Sequence, residues 1–176
     1  MKYLPLALLV VACYSPGPYG YSRVYSPLDA EEHAAETARE YDPVMAQRAP
    51  ADWKKTPVSV FGIVKNRQDG PGGLAQLTLG IRTLADRNLC DDADEESCRV
   101  TIGEREHAVI HAQVKLLGED DLGRRRVQPG SLVRVIGRLR DDRDPADGEP
   151  VLSGDYYRHF PRGEYVTRGD SEHMRR

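Results

Sequence analysis

Cys90 and Cys98 are the first residues whose type and spacing suggest chemistry, because they enclose a short and strongly acidic loop. Seven residues separate the two cysteines, and five of them are Asp or Glu. Cysteine and carboxylate ligands can bind zinc together, but the spacing is not that of a C-x-x-C knuckle and no histidine lies beside it. A disulfide closing so short a loop would stabilise the fold by about 2–3 kcal/mol in the chain-entropy treatment. We therefore predict a disulfide, with a metal site or two free thiols as the alternatives.

His107 and His111 are the next residues whose type would support metal binding or acid–base chemistry. The alternation around them is typical of a strand, where residues four apart share a face but lie about 13 Å apart. We therefore expect exposed strand histidines that do not share a metal ion. The acidic stretch 141–149 lacks the ordered D-x-D-x-D-G spacing and terminal glutamate of an EF-hand. We expect a solvated acidic loop there, with a weak divalent-cation site as the alternative.

Catalytic motifs of the common enzyme classes are missing from the sequence. It contains no G-x-S-x-G, no H-E-x-x-H and no phosphate-binding loop. We therefore predict no enzyme activity, no catalytic residues, no cofactor and no resident metal. The net charge is −3, which is not the basic balance expected of a non-specific nucleic-acid binder.

A third cysteine, Cys13, ends a short apolar run at the N-terminus, residues 4–12. Nine apolar residues are too few for a membrane-spanning helix, which needs about 20. The run has instead the length of the apolar core of a secretory signal, and a single positive residue, Lys2, precedes it. Its ending, VVAC, resembles a bacterial lipobox. The resemblance implies cleavage after Ala12 and a lipid chain on Cys13. The alternatives are a short export signal followed by an incidental cysteine and an ordinary buried N-terminal strand.

The lipobox resemblance also implies where the mature protein resides. Tyr14 and Ser15 follow the cysteine, and in lipoproteins of this class such residues favour the outer membrane, whereas Asp is typical of retention at the inner membrane. We therefore expect a lipid-anchored outer-membrane protein that faces the periplasm. Disulfides persist in that oxidising compartment, which supports the Cys90–Cys98 pairing.

Composition and periodicity divide the chain into five regions. We predict a lipoprotein signal peptide over 1–12, a flexible Pro- and Gly-rich tether over 13–26, and a helical linker over 27–52. An OB-like β-barrel domain follows over 53–166, and 167–176 form a disordered tail. In the linker, Ser26 can cap a helix that begins at Pro27 and carries Asp29 in its first turn. Pro43 ends that helix, whose thin apolar stripe predicts loose packing or a simple extension of the tether.

The barrel prediction rests on strands that alternate apolar and polar residues from Trp53 onward. The first, second and fourth segments each give an inward face. The third, residues 99–116, forms one long broken strand or a hairpin, and its second half also gives an inward face. The fifth strand is PVLSGDYYRHF. Glycines within the strands predict strong curvature, because they allow tight bends and close backbone approach. The predicted inward residues are Val58, Val60, Gly62, Val64, Ala75, Leu77, Leu79, Ile81, Ala108, Ile110, Ala112, Val114, Leu116, Val133, Val135, Gly137 and Leu139.

Five such strands match the oligonucleotide/oligosaccharide-binding fold, or OB-fold, a Greek-key barrel. The fold class is therefore mainly β: a small five-stranded OB-like barrel preceded by a short N-terminal helix and a flexible tether. One further pattern lies within 53–166, and its positions are Gly62, Ile63, Val64, Asn66, Leu77, Leu79, the segment 129–137, Tyr157, Phe160 and Pro161. In these positions the chain resembles the Slp-type outer-membrane lipoproteins, which are similar in layout and have no established catalytic residues to carry over.

The ligand-binding face of an OB-fold lies across its second and third strands, and those strands carry no aromatic residue in this sequence. Single-stranded nucleic acid needs aromatic stacking platforms in a basic groove, so we expect no nucleic-acid binding, despite the basic cluster Arg124–Arg126. The predicted function is a structural or protein-binding role in an envelope assembly. The alternative is a binding module for a saccharide or peptidoglycan-like ligand. Tyr156 and Tyr157 are the aromatic residues nearest such a role, and an aromatic-lined cleft bounded by polar groups would favour it.

Overall fold

The computed structural model of this chain describes residues 24–90 and 98–169. The predicted signal peptide, Cys13, nearly all of the tether 13–26 and the tail after Gly169 lie outside the described residues. The helices are α1 (Asp29–Ala35), α2 (Pro43–Arg48), α3 (Pro50–Lys55) and α4 (Glu119–Leu122). The strands are β1 (Arg39–Glu40), β2 (Val58–Asp69), β3 (Leu74–Ile81), β4 (Val100–Ile102), β5 (Val109–Lys115), β6 (Leu132–Arg143), β7 (Pro150–Phe160) and β8 (Tyr165–Thr167).

Five of these strands close into a barrel. The main sheet has the order β1-β2-β3-β5-β7-β6, and β2 also pairs with β6, which closes the circle. All barrel pairs are antiparallel except β5 and β7, which run parallel. Numbered within the barrel, the strand order is 1-2-3-5-4-1, the Greek-key arrangement of an OB-fold. The structure therefore confirms the predicted fold class.

The barrel interior is the main hydrophobic core, and it contains the residues that the alternation placed inward. Because successive side chains on a strand point to opposite faces, one alternating set from each strand fills the interior. Trp53 and Ala46, from the short helices α3 and α2, cover one part of this core. Its buried strand residues include Val58, Val60, Val64, Ala75, Leu77, Leu79, Ile81, Ile110, Ala112, Val114, Val133, Val135 and Leu152.

The third predicted element, residues 99–116, is neither one broken strand nor a hairpin. Its first part is β4, which pairs in parallel with β8 near the end of the chain, and its second part is the barrel strand β5. Ile102 of β4 joins Phe61, Leu132 and Phe160 in a second apolar cluster. The short β4 therefore lies outside the barrel sheet, and its Ile102 contributes to this second cluster.

The N-terminal helix also differs from its prediction. It begins at Asp29 rather than at Pro27, and Ser26 does not cap it, because Leu28 occupies the N-cap position. Pro43 does not end this helix, which stops at Ala35 and is followed by β1. Pro43 instead starts α2, whose N-cap Asp42 accepts hydrogen bonds from the Val44 and Met45 amides. No helix among the described residues is long and apolar enough to cross a membrane.

The predicted disulfide forms in the structure, joining Cys90 to Cys98. Cys90 is buried. The backbones of Leu89 and Arg99 next to the disulfide exchange two hydrogen bonds of 3.1 and 2.7 Å, so the ends of the acidic loop are held together twice. The loop residues 91–97 lie outside the described part of the chain.

Candidate functional site

A fully buried glutamate docks the N-terminal helix onto the barrel. Glu31 of α1 has no solvent exposure, and its carboxylate accepts from Arg134 of β6 at 2.7 Å and from Arg158 of β7 at 2.6 Å. The Tyr25 hydroxyl donates to the same carboxylate at 2.5 Å, and the Leu28 amide donates at 3.1 Å. The expectation of a loosely packed helix is therefore wrong, because two charge-assisted contacts tie α1 to two barrel strands.

The same contacts set the ionisation of this cluster, which we call the Glu31 latch and define as Glu31, Arg134, Arg158 and Tyr25. Burial by itself would raise the pKa of Glu31, but hydrogen bonds from Arg134, Tyr25 and Arg158 outweigh it and hold that pKa below its usual range. Burial and the neighbouring carboxylate raise the pKa of Tyr25, so its hydroxyl stays a donor. The latch therefore holds an ionised carboxylate at neutral pH.

An open cleft lies beside the latch, between the N-terminal segment and β7. Tyr156 and Tyr157 form part of its wall, and Leu28 and Leu117 add apolar surface. Tyr157 also packs against the main core, and its hydroxyl accepts from the Leu117 amide at 3.1 Å. The polar and charged residues lining the cleft are Lys115, Asp120, Asp155, Arg158 and His159. We call this feature the tyrosine cleft.

The tyrosine cleft has a mainly apolar surface with charged groups of both signs along it. Two cationic residues, Lys115 and Arg158, face two carboxylates, Asp120 and Asp155. Burial raises the pKa of the Tyr156 phenol, with a further contribution from the Glu31 charge. The phenol therefore stays neutral and can donate a hydrogen bond at physiological pH. An aromatic wall that carries both hydrogen-bond donors and acceptors suits an uncharged, hydroxyl-rich ligand.

The usual OB ligand face, the outer side of β3 and β5, is covered by the connection between β6 and β7. The acidic stretch 141–149 folds back so that Asp147 contacts His111 at 2.8 Å and Asp144 accepts from the Gln76 amide at 2.7 Å. His111 is only 6% exposed, so the expectation of an exposed histidine is wrong at this position. The stretch is also not simply a solvated loop, because Asp144 is largely buried.

His107, the other histidine considered, is exposed as expected but does not lie on a strand. Its Nε2 atom lies 3.0 Å from the Thr83 hydroxyl. It precedes β5, whereas His111 lies within that strand. The neighbours of the His111 ring nitrogens are instead Asp144 and Asp147, each of which places a carboxylate oxygen within 4.8 Å of a ring nitrogen.

A Ser–His–Asp arrangement lies next to the tyrosine cleft. His159 places Nδ1 2.6 Å from an Asp120 carboxylate oxygen and Nε2 3.0 Å from the Ser131 hydroxyl. These contacts match the order of groups in a nucleophilic triad, but Ser131 is only 2% exposed and its oxygen accepts from the Gln128 amide. A nucleophile buried in this way cannot meet a substrate. We therefore assign these hydrogen bonds a structural role, which is to hold the 128–131 turn against β7.

Comparison with known proteins does not identify a family for this chain. No family model matches the chain, and no curated protein matches it. Among solved structures, it is similar to the wild-type single-stranded DNA binding protein from Thermus aquaticus, with 18% identity, a TM-score of 0.31, and 61% of this chain aligned to 50% of that chain. A deletion mutant of the Thermus aquaticus protein gives 19% identity, a TM-score of 0.28, and 62% and 53% coverage. The chain thus spans about half the length of these proteins, and at such TM-scores we take nothing about ligand or partner from them.

Proposed function

We propose that this protein is a lipid-anchored module of the bacterial cell envelope that binds a saccharide or peptidoglycan-like ligand in the tyrosine cleft. The observation that carries the proposal is the cleft itself, which combines two tyrosines with closely spaced charged and apolar groups. Sugars present apolar C–H faces and many hydroxyls, so a ring can lie on an aromatic side chain while its hydroxyls bond to Asp155, Lys115 or Arg158. The OB-fold provides the rigid scaffold on which these residues are fixed.

The distribution of charge favours a saccharide over a nucleic acid. The outer faces of β3 and β5, both within the described chain, present Gln76, Thr78, His111 and Gln113 rather than aromatic platforms, and Asp144 and Asp147 fold over them. The arginines of β6 are also engaged: Arg134 by Glu31, Arg138 by the Lys55 carbonyl, and Arg140 by Asp142 and Gln113. Arg134 and Arg140 are already paired with carboxylates, and cations paired in this way contribute little counterion release on binding phosphates.

Binding of a soluble peptidoglycan fragment and of an N-acetylglucosamine tetrasaccharide, measured by calorimetry on the full chain, tests the proposed ligand. We expect saturable binding that Tyr156→Ala weakens by about tenfold or more, equivalent to about 1.4 kcal/mol. Asp141→Asn is the matched control, because the Asp141 side chain is 97% exposed and lies outside the tyrosine cleft. A labelled single-stranded oligonucleotide should not bind at physiological salt.

Two results would contradict this ligand assignment. One is the absence of saturable binding to either saccharide, and the other is binding that Tyr156→Ala leaves unchanged. If instead a co-purifying envelope protein protects Tyr156 from chemical modification, the cleft is a protein-binding surface, which is the structural role inferred first from the sequence.

Membrane attachment is a separate part of the proposal and rests on the lipobox resemblance alone. We expect intact-mass analysis of membrane-extracted protein to show a chain that begins at Cys13 and carries added acyl mass. Cys13→Ser should release the protein from the membrane fraction, and density-gradient separation should place the wild type in the outer membrane. A mature chain that begins elsewhere with an unmodified Cys13 would refute the anchor without affecting the saccharide test.

A further inference from the structure

We infer that His111, Asp144 and Asp147 form a binding site for a divalent transition-metal cation. The three residues come from two separated segments, β5 and the connection between β6 and β7, and they meet on the outer side of the barrel. One ligand atom from each residue lies within 4.8 Å of the others. This site is distinct from the tyrosine cleft, which none of the three residues lines.

The distances suit a shared cation. An imidazole binds a given ion through one ring nitrogen, and the Nε2 atom of His111 lies 2.8 Å from an Asp147 oxygen. An Asp144 oxygen lies 3.9 Å from the other ring nitrogen, Nδ1, and one ligand atom from each of the three residues lies within 4.8 Å of the others. Nitrogen and oxygen ligands lie about 2.0–2.2 Å from zinc, so two ligand atoms that share an ion are themselves about 3–4 Å apart. A small movement of Asp147 is therefore enough to open the position for an ion, and this side chain is 42% exposed and able to move.

The charge around the cluster also calls for a cation. The Asp144 side chain is only 10% exposed, and among the described ion pairs His111 is the single basic partner of both aspartates. The neighbouring arginines are engaged elsewhere, since Arg140 pairs with Asp142 and Arg143 donates to the Gly148 carbonyl. Two carboxylates beside one imidazole leave uncompensated negative charge in a partly buried place, which is costly unless a cation balances it.

Residues outside the cluster orient two of its ligands. The Gln76 amide donates to Asp144 at 2.7 Å, and the Thr78 hydroxyl lies 3.3 Å from the His111 Nδ1 atom. Both residues lie on β3, the strand next to β5. Metal sites typically hold their ligands through such outer contacts, which fix the orientation of each ring and carboxylate.

The mixture of ligands identifies the class of cation. Imidazole suits zinc and other first-row transition metals, whereas calcium and magnesium prefer all-oxygen sites. Three protein ligands leave at least one coordination position for water. We therefore assign the site to a transition-metal cation with an open position, and Zn²⁺ is the suitable probe.

Calorimetric titration of the metal-free full chain with Zn²⁺, and in parallel with Ca²⁺, tests the assignment. We expect one Zn²⁺ per chain and much weaker binding of Ca²⁺. Asp147→Asn and His111→Gln should each weaken Zn²⁺ binding by about tenfold or more, because even loss of an orienting contact costs that much in known sites. Asp147→Asn should not affect folding, because this exposed loop side chain can be changed without disturbing the core. Asp141→Asn, in the same acidic stretch, is the control and should bind Zn²⁺ like the wild type.

Three results would overturn the site. The first is the absence of saturable Zn²⁺ binding to the wild type. The second is an equal loss of affinity in Asp141→Asn and Asp147→Asn, which would mean that the acidic stretch attracts cations only through its overall charge. The third is Zn²⁺ binding that stays unchanged in a folded His111→Gln variant.

Discussion

Replacing Glu31 with Gln should detach the N-terminal segment from the barrel and lower the free energy of unfolding by about 3–5 kcal/mol. The buried carboxylate is the shared partner of Arg134 and Arg158. An amide of the same size cannot balance two guanidinium groups, so both arginines would be left without their buried counter-charge. Urea denaturation followed by the fluorescence of Trp53, the single tryptophan of the chain, measures the loss, and limited proteolysis near α1 reports the detachment.

Glu32→Gln is the matched control for this prediction, because Glu32 is exposed on the same helix. It removes the same charge one residue away and should change stability little, as exposed charges do. Equal stability of the two variants would show that the Glu31 latch does not hold the segment.

The pH dependence of stability provides a second readout of the latch. Since the pKa of Glu31 is lower in the folded protein than in the unfolded chain, its contribution is complete above the ordinary carboxyl pKa, near 4.3. It is lost progressively as the pH falls below that value through the lower folded pKa. This part of the acid dependence should be missing from Glu31→Gln, and a curve identical to that of the wild type would count against the assignment.

The barrel could be predicted from sequence because one physical rule determines it. Alternation with a period of two assigns each strand residue to the interior or the exterior, and a shift by one residue would expose the whole apolar set. Leu77, Leu79, Ile110 and Ala112 accordingly lie in the core as predicted. Strand β4 could not be predicted in this way, because three residues are too few for alternation to show. Its partner β8 also lies more than 60 residues later in the chain.

The candidate sites could not be predicted in the same way, since their residues are distant in sequence. Glu31 in a first helical turn is explained locally by the helix dipole, and nothing nearby indicates that its partners are Arg134 and Arg158. Alternation correctly places His111 on the outer face of its strand. Its burial depends on how the later acidic stretch folds back over it, through contacts of Asp144 and Asp147 that carry no sequence periodicity.

Replacing Gly137 with Ala should destabilise the barrel by about 3 kcal/mol, toward the upper end of what overpacking usually costs. Gly137 lies on β6 where the register with β7 shifts. An added Cβ would lie 1.9 Å from the Ser153 carbonyl oxygen and 2.8 Å from the Gly154 Cα. Both obstacles are backbone atoms, so no side-chain rotation can relieve them and β6 would have to separate from β7.

Gly103→Ala is the control for this last prediction, because its added Cβ would have no neighbour closer than 3.7 Å. It should leave the free energy of unfolding within about 0.5 kcal/mol of the wild type, as is usual where no special feature is touched. Urea denaturation of both variants decides the matter. Comparing the two variants separates two effects of a Gly→Ala change. Both variants restrict the backbone, but only Gly137→Ala introduces a steric clash. If Gly137→Ala proves as stable as Gly103→Ala, the close approach of β6 and β7 is not what requires glycine at this position.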